Sequence, residues 1–366
     1  MRSKIQFLRS LLLSRKTNRK IIVIESDDWG SERIPNINTR KVLKASGIDM
    51  DTNPHAQFDT LERLEDLITL EQLLVDLKAK YNKTVKLTAN FITANPDFEK
   101  IKAVNYESYF FESFDKTYQN RDGNTKVLEQ ILKLIKLGFF KPQFHGREHI
   151  NVLFWLDELK NNNKAFKVAF NHNTYAIDAS SAKSNRKNLM ATLEYEQASQ
   201  KQFVENSLLE GHQIFKDIFG FSSETFIAPR YVWNSELEPI FVQCGFTHLQ
   251  TALFQQSPMK SGYKNIFHYT GQKSKIAQMS YLTRNVYFEP AYGKVDWVQK
   301  SLSKVDLAFK FKTPAIISMH RINFVGGLNE QARDNNLKQF KNFIESIIMK
   351  YPDVEFMSSD ELAKIV

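Results

Sequence analysis

Eight apolar, β-rich runs recur along this chain of 366 residues, and stretches with helical periodicity separate them. Their apolar character is continuous rather than alternating, which is typical of strands buried on both faces of a parallel sheet. Roughly seven or eight strand–helix units in one domain favour a deformed (β/α) barrel of about seven parallel strands over an open sheet. We predict an α/β fold with strands in Ile21–Glu25, Val85–Ala94, Lys141–His145, Thr225–Pro229, Phe246–Thr251, Met279–Phe288, Pro314–His320 and Val354–Met357.

Helices are predicted between these runs, at about 126–137, 150–160, 195–218, 234–244, 294–309 and 330–350. A capping-box pattern at Asp59-Thr60-Leu61-Glu62 predicts a further helix that runs to about Lys80. Two segments interrupt the alternation: residues 98–124 are rich in aromatic side chains, and residues 171–193 are rich in Ser, Asn and Lys. Long insertions in barrels usually lie over the active face, so both are candidates for lids or substrate walls, with simple surface excursions as the alternative.

The formal net charge of +9 is concentrated at the start of the chain. Of the 50 basic residues, seven lie in residues 1–20 without any acidic partner, and the remaining 43 nearly balance the 41 acidic residues. This distribution argues against a nucleic-acid-binding protein, in which basic charge should spread over a face. We therefore divide the chain into a basic N-terminal segment, residues 1–20, and one folded domain, residues 21–366.

The basic N-terminal segment allows two arrangements. Ile5, Leu8 and Leu12 share helical spacing beside basic residues, so this helix could make a peripheral contact with an anionic membrane surface. The alternative is a terminal helix packed on the barrel. Arg9 interrupts the apolar run and no small-residue cleavage site follows, which disfavours a signal peptide. With a single cysteine, Cys244, and no apolar run of membrane-spanning length, we expect a cytoplasmic protein.

A buried strand that ends in adjacent carboxylates is the first candidate site. Asp27 and Asp28 follow the run Ile21–Glu25, which puts them at the carboxyl edge of the sheet, where barrel active sites are built. Successive side chains point in different directions, so one carboxylate can bind a metal while its neighbour faces a bound water. A pair of aspartates in an ordinary turn is the alternative.

Histidines supply the other candidate residues. His145 and His149 stand four residues apart, and at that spacing on one helical turn both imidazoles can reach a single cation. Glu148 stands directly before His149 and would point away from such a site, unlike the glutamate of zinc metalloproteases. His320 ends another apolar run. A carboxylate pair, a histidine pair and a further histidine are therefore all predicted at strand ends.

These motifs, in this order, resemble those of the NodB-homology polysaccharide deacetylases. The family's T-F-D-D-G motif resembles residues 25–29, Glu-Ser-Asp-Asp-Trp, and its H-[ST]-x-x-H motif resembles His145 to His149, with Gly146 at the Ser/Thr position. Asp296-Trp297 resembles a tryptophan motif, and Ile317 to His320 resembles the leucine-x-histidine motif near the end. The resemblance spans about residues 21–320.

One motif departs from the family pattern. The family's Arg-x-Pro-Tyr motif supplies an arginine that orients the catalytic aspartate, but residues 226–231 read Phe-Ile-Ala-Pro-Arg-Tyr. Ile227 occupies the usual position of that arginine. Arg230 or Arg284 could replace it, and an ordinary ion pair at a strand end is the alternative for either.

The resemblance implies a NodB-like catalytic domain, with a divalent metal on Asp28, His145 and His149, Asp27 as general base and His320 as general acid. Zinc is preferred, although the same ligands accept Co²⁺, Ni²⁺ or Fe²⁺. The implied reaction removes N-acetyl groups, with O-acetyl groups as the alternative, from a sugar or glycan precursor. A backbone N–H near Pro229–Tyr231 would hold the oxyanion. A catalytically inactive glycan-binding relative is the alternative. The residues expected to contact substrate are Trp29, Pro229, Arg230, Tyr231, Arg284 and Trp297.

Overall fold

A computed structural model describes residues 2–182, 188–293 and 295–366 of the chain. Its α-helices are α1 Arg2–Leu13, α2 Ile37–Ala45, α3 Pro54–Phe58, α4 Leu64–Tyr81, α5 Phe98–Ala103, α6 Phe114–Asp122, α7 Lys126–Lys136, α8 Val152–Lys160, α9 Lys164–Phe170, α10 Ala198–Phe219, α11 Glu238–Gln243, α12 Trp297–Lys310, α13 Glu330–Lys350 and α14 Ser359–Ala363. Its strands are β1 Ile21–Trp29, β2 Leu87–Phe91, β3 Ala94–Pro96, β4 Phe111–Ser113, β5 Phe140–Phe144, β6 Thr225–Ile227, β7 His248–Thr251, β8 Phe254–Pro258, β9 Tyr263–Phe267, β10 Ser280–Thr283, β11 Val286–Tyr287, β12 Ala315–His320 and β13 Glu355–Met357.

The main sheet consists of parallel strands in the order β10-β7-β6-β5-β2-β1-β12-β11, and β13 pairs with the first residues of β1. The two ends of this order, β10 and β11, are successive pieces of one stretch, residues 280–287. Its first half pairs with β7 and its second half pairs with β12. The sheet therefore returns to its starting strand, with seven strand positions around it. This confirms the predicted α/β barrel.

Arg284 and Asn285 form the break between β10 and β11. The N–H of Arg284 donates to the carbonyl of Thr251 at 2.8 Å, and the N–H of Asn285 donates to the carbonyl of Ile316 at 3.0 Å. The Asn285 side chain also accepts from the N–H of Ile316 at 2.9 Å and donates to the carbonyl of Pro314 at 2.8 Å. Backbone hydrogen bonding thus continues across the break while the strand changes neighbours.

The two faces of β1 show how the sequence positions the site. Ile22 and Ile24 pack into the large core that also contains residues of the surrounding helices. Alternate residues Ile21 and Val23 pack with Leu282, among others, in a separate small cluster. Glu25 and Asp27 come farther along the same face of β1, so the polar site lies next to this small apolar cluster, toward the carboxyl end of the strand.

All eight predicted strand regions contain strands, and each predicted helix overlaps an observed one. The predicted start of the helix ending near Lys80 is wrong. Helix α4 begins at Leu64, with Arg63 at its N-cap and Asp66 completing the capping box. Asp59 and Glu62 are buried instead and accept hydrogen bonds from Arg321, because that buried guanidinium needs carboxylate partners.

The two insertions have different roles. Residues 98–124 form α5, β4 and α6, and β4 pairs antiparallel with β3, which precedes the insertion. Phe111 packs against Arg147, with 4.5 Å between the guanidinium carbon and the ring centre. The second insertion, 171–193, contributes Ile177 and Leu189 to the wall of a cavity. Residues 183–187 of this insertion lie outside the described residues.

The basic N-terminal segment packs against the barrel, as in the second of its two expected arrangements, through one side of α1 and the residues that follow it. Leu11 of α1 is buried, and the backbone of Arg15 and Thr17 bonds to Thr270 and Lys312 at 2.9 and 2.8 Å. Among the described residues, every helix is too short or too polar to cross a bilayer.

Candidate metal centre and active site

A bulge at the end of β1 aims Asp27 and Asp28 in different directions. Ser26 pairs with Ala89 and Trp29 pairs with Phe91, so two residues of β1, Asp27 and Asp28, lie opposite a single residue of β2. Asp28 has a φ of 76°. Gly30 follows with a φ of 80°, and a Cβ there would stand 2.5 Å from the carbonyl oxygen of Ile92. Only glycine fits so close to that backbone. The local chain therefore fixes both carboxylates at the edge of the sheet.

Asp28, His145 and His149 converge as predicted. The Oδ1 atom of Asp28 lies 3.3 Å from Nε2 of His145 and 3.2 Å from Nε2 of His149, and all three side chains are buried. Ligand atoms that are each about 2.0–2.1 Å from a tetrahedral zinc are about 3.3 Å apart, so the spacing suits that ion. Within the described ranges, Oδ1 of Asp28 has no hydrogen-bond partner. A buried carboxylate oxygen without a partner is costly, and a cation would satisfy it.

The surroundings of the three side chains favour metal-binding forms. Burial would raise the pKa of Asp28, but the charge of Arg33, together with the neighbouring histidines, holds that pKa well below its usual value. The second oxygen, Oδ2, accepts from Arg33 at 2.9 Å, which turns Oδ1 toward the histidines. Burial lowers the pKa of His149 well below its usual value, so its imidazole is neutral and can donate a lone pair.

His145 and His149 lie on a loop after β5 rather than on the predicted helical turn. Gly146 has a φ of 116°, which no helix contains, and α8 begins only at Val152. Nδ1 of His145 lies 2.9 Å from the carbonyl oxygen of Ile227. Because a carbonyl only accepts, Nδ1 carries the proton and Nε2 presents its lone pair to the site.

Glu148 points away from the site, as predicted. Its carboxylate accepts from Arg147 at 2.5 and 3.0 Å, and both side chains are buried. It therefore cannot act as the general base of a zinc metalloprotease.

Arg284 holds Asp27. Its two terminal nitrogens donate to the two carboxylate oxygens of Asp27 at 2.6 and 2.7 Å, and its Nε donates to Glu25 at 2.5 Å. Asn90 donates to Asp27 at 2.7 Å. Burial would raise the pKa of Asp27, but the charge and hydrogen bonds of Arg284 hold it below its usual value. Of the two arginines left open by the sequence, Arg284 is the one that orients Asp27.

His320 faces Asp27 across the β1–β12 pair. The two residues are register partners, and Nε2 of His320 lies 3.9 Å from Oδ2 of Asp27. Nδ1 of His320 is 2.6 Å from a carboxylate oxygen of Glu289. Burial would lower the pKa of His320, but the charge of Glu289 and its hydrogen bond raise it to about 9. His320 is therefore protonated at neutral pH.

A cavity of about 600 Å³ opens in front of these groups and is lined by Asp27, His145, His149 and His320. Arg230, Tyr231 and Trp297, three of the residues expected to contact substrate, also line it. Tyr231 has a φ of 57°, and its hydroxyl accepts from Arg284 at 2.9 Å.

Three residues proposed for substrate contact do not line this cavity. Trp29 is only 1% exposed and packs against Phe140 and Phe324 in the core, so its position gives no support for a substrate contact. Pro229 is buried beside the histidine loop, and Arg284 acts from behind Asp27.

Sequence reasoning missed His55, Arg33, Glu289 and Tyr292, all of which line the cavity. His55 belongs to a second group with Asp28 and His320 that could also hold a cation. In that group, the ring nitrogens of His55 already bond to Asp59 at 2.8 Å and to the Tyr292 hydroxyl at 2.7 Å. The group of Asp28, His145 and His149 is therefore the better metal centre.

Comparisons with known proteins agree with this fold. No protein-family model matches the sequence, and no curated protein matches it. A protein of Parabacteroides distasonis assigned as a glycoside hydrolase/deacetylase superposes with a TM-score of 0.51 at 10% identity, over 96% of this chain and 72% of that chain.

Two further structures superpose more weakly. A protein of Mycobacterium smegmatis assigned as a polysaccharide deacetylase has a TM-score of 0.44 at 11% identity, over 96% of this chain and 92% of that chain. A 4-α-glucanotransferase of Thermococcus litoralis has a TM-score of 0.45 at 9% identity over 96% of this chain, which spans only 41% of that enzyme. At such identities a likeness establishes architecture and not reaction. The chain thus has the fold of the Parabacteroides glycoside hydrolase/deacetylase, which supports the predicted resemblance to NodB-type deacetylases at the level of the fold.

Proposed function

We propose that this protein is a metal-dependent hydrolase that removes acetyl groups from an N-acetylated sugar or glycan precursor. The division of labour between two adjacent carboxylates carries the proposal. Asp28 faces two histidines with a free oxygen, whereas Asp27 is held by Arg284 and faces His320. A site that only binds sugar needs neither an oriented base nor a protonated histidine opposite it.

Asp28, His145 and His149 would hold the metal, with zinc as the first choice for two imidazoles and one carboxylate, and Co²⁺, Ni²⁺ or Fe²⁺ as alternatives. When bound, such a cation polarises a carbonyl and makes water more acidic. Three protein ligands leave coordination positions open, as a hydrolytic site requires.

Asp27 would act as the general base. Because Arg284 lowers its pKa, Asp27 is ionised at neutral pH and can accept a proton from the attacking water. The two-point contact with Arg284 also fixes the plane of the carboxylate. Water oxygen would add to the acetyl carbon as its proton passes to Asp27.

His320 would act as the general acid. Its raised pKa keeps a proton available for the sugar nitrogen as the carbon–nitrogen bond breaks. The products are acetate and the free amine.

The remaining contacts concern substrate. The backbone N–H of Tyr231 donates to the carbonyl of Ala228 at 2.9 Å and is not free for an oxyanion. Since Pro229 has no N–H, Arg230 supplies the remaining candidate donor in that stretch. Trp297, on the cavity wall, would pack against the sugar or its acetyl group.

Acetate release tests this proposal. We expect zinc-loaded protein to release acetate from N-acetylated sugars, and removal of the metal by a chelator to abolish release until zinc is restored. N-acetylated and O-acetylated sugars are compared in parallel, which separates amide from ester hydrolysis. Sugar binding without acetate release from either class would favour the inactive glycan-binding alternative.

The pH profile tests the role of Glu289. In Glu289→Gln the carboxylate that raises the pKa of His320 is lost while burial still lowers it. A general acid loses function as pH rises through its pKa, so the alkaline limb of the rate profile should move to lower pH. Tyr292→Phe, which removes an uncharged hydroxyl from a ring 6.2 Å from that of His320, is the control and should leave that limb in place. An unchanged alkaline limb in Glu289→Gln would contradict His320 as the acid.

A further inference from the structure

The outward face of α1 exposes four aliphatic side chains beside Arg9, whose guanidinium lies over the ring of Phe267 at 5.0 Å. Ile5 and Leu12 are 58% and 62% exposed, and Leu8 and Leu13 are 38% and 47% exposed. Four exposed aliphatic side chains on a helix of 12 residues are unusual for a surface that meets only water. They follow the helical spacing seen in the sequence, so they form one face.

The opposite face of α1 fixes the helix to the barrel. Leu11 is buried, and the Ser14 hydroxyl accepts from the N–H of Thr270 at 3.2 Å. Lys16 donates to the carbonyl of Phe311 at 3.2 Å. The contacts of the opposite face hold α1 on the barrel, so its exposed aliphatic side chains point outward.

Basic side chains connect this face to the cavity. Lys304 of α12 lies 4.2 Å from the ring centre of Phe7 on α1. Its pKa is lowered by burial and then by the neighbouring charges of Lys4 and Lys300. Lys300 lies over the ring of Trp297 at 4.3 Å and lines the cavity. A row of three lysines thus runs from α1 to the cavity wall.

The acidic side chains of α12 do not neutralise the positive charge of these three lysines. Asp296 uses its side chain to cap the helix, accepting from the N–H of Gln299 at 2.9 Å. Asp306 is engaged by Lys350 at 2.7 Å.

We propose that the outer face of α1, together with the Lys4–Lys304–Lys300 row, docks onto the surface of an anionic phospholipid bilayer. Aliphatic side chains with Arg9 among them, and lysines at one side, match an interface of acyl chains and negative headgroups. Nucleic acid would use the lysines but not the exposed aliphatic side chains. A two-fold contact between copies would bring like charges together, because residues 1–20 contain no acidic residue. Docking would place the cavity wall that holds Lys300 near the headgroups.

Vesicle sedimentation tests the docking face with the full chain. We expect the protein to sediment with vesicles that contain phosphatidylglycerol and not with vesicles of phosphatidylcholine alone, and added salt should weaken binding. The double variant Ile5→Asn/Leu12→Asn should bind at least about tenfold more weakly, since two apolar insertions are lost. The control Ile68→Asn/Leu132→Asn removes side chains that are 50% and 42% exposed on α4 and α7, and should bind as the parent does.

A separate variant tests the contribution of the row of three lysines. Lys4→Glu should weaken binding to anionic vesicles at least about fivefold, whereas Lys102→Glu on α5 should not. Equal binding by Ile5→Asn/Leu12→Asn and the parent would overturn the proposal, as would no binding to anionic vesicles. A parent dimer that the double variant converts to monomer would also overturn it, in favour of self-association. Duplex DNA binding that Lys4→Glu abolishes, with no vesicle binding, would overturn it in favour of nucleic acid.

Discussion

Asp28→Ala is expected to abolish stoichiometric zinc binding. The carboxylate contributes one of three converging ligand atoms, and it is also one of the two carboxylates that offset the charge of Arg33. Loss of an outer-shell partner alone typically weakens metal affinity by about 10–100-fold, so loss of a direct ligand should exceed about a hundredfold. Metal content after dialysis against limiting zinc measures this effect.

Asp27→Asn is the matched control for zinc binding. It removes a charge from the adjacent residue of the same bulge, but its carboxylate is held by Arg284 and Asn90 and is not one of the three converging ligand groups. We expect this variant to retain the zinc content of the parent. If Asp28→Ala bound zinc as well as the parent does, the metal centre would have to be built from other residues, with the second histidine group as the first candidate.

Arg284→Met is expected to destabilise the fold strongly. Arg284 is almost fully buried and pairs with two buried carboxylates, Glu25 and Asp27. Breaking a buried ion pair by removing one partner typically costs about 3–5 kcal/mol, because a charge is left without compensation. Urea denaturation at pH 7 should show this loss as a lower midpoint with an unchanged slope.

The pH dependence of that loss identifies its cause. Without Arg284, burial raises the pKa of both carboxyls, so the folded state binds protons that the unfolded state releases near neutral pH. Stability of the variant should therefore recover as pH falls, and the gap to the parent should narrow. Adding Glu25→Gln and Asp27→Asn to Arg284→Met should recover part of the stability at pH 7.

A surface arginine provides the comparison. Arg19→Met removes an exposed pair with Glu355 and should change the unfolding midpoint little. If Arg284→Met unfolded at the same urea concentration as the parent, with no pH dependence of the difference, the buried network would not support Asp27 as described.

The strand ends could be predicted because their signal is local. Runs such as Ile21–Glu25 and Pro314–His320 are apolar throughout, which only strands covered on both faces require, and polar residues follow each run directly. Parallel strands bring such ends to one edge of the sheet, so the sequence alone predicts that Asp27, Asp28 and His320 lie together. The pairing of Asp27 with Arg284 was left open because it depends on a strand that breaks and changes neighbours.

Other features depended on contacts between distant parts of the chain. His55 and Glu289 reach the cavity from loops and short helices whose paths carry no periodic signal. The capping-box pattern at Asp59–Glu62 predicted the wrong start for a helix. Both carboxylates instead pair with the positive charge of the buried Arg321, which lies 262 and 259 positions away in the sequence. The helical spacing of His145 and His149 predicted that the two imidazoles converge, but they converge on a loop that Gly146 permits and not on a helical turn.

The most direct test of the proposed reaction compares the parent and Asp27→Asn, each loaded with zinc, for acetate release from the same N-acetylated sugar. We predict equal zinc content, acetate release by the parent, and a rate at least about a hundredfold lower for the variant, as loss of a general base implies. Equal rates for the two proteins, or no acetate from any acetylated sugar with the zinc-loaded parent, would contradict the proposal that this site is a deacetylase.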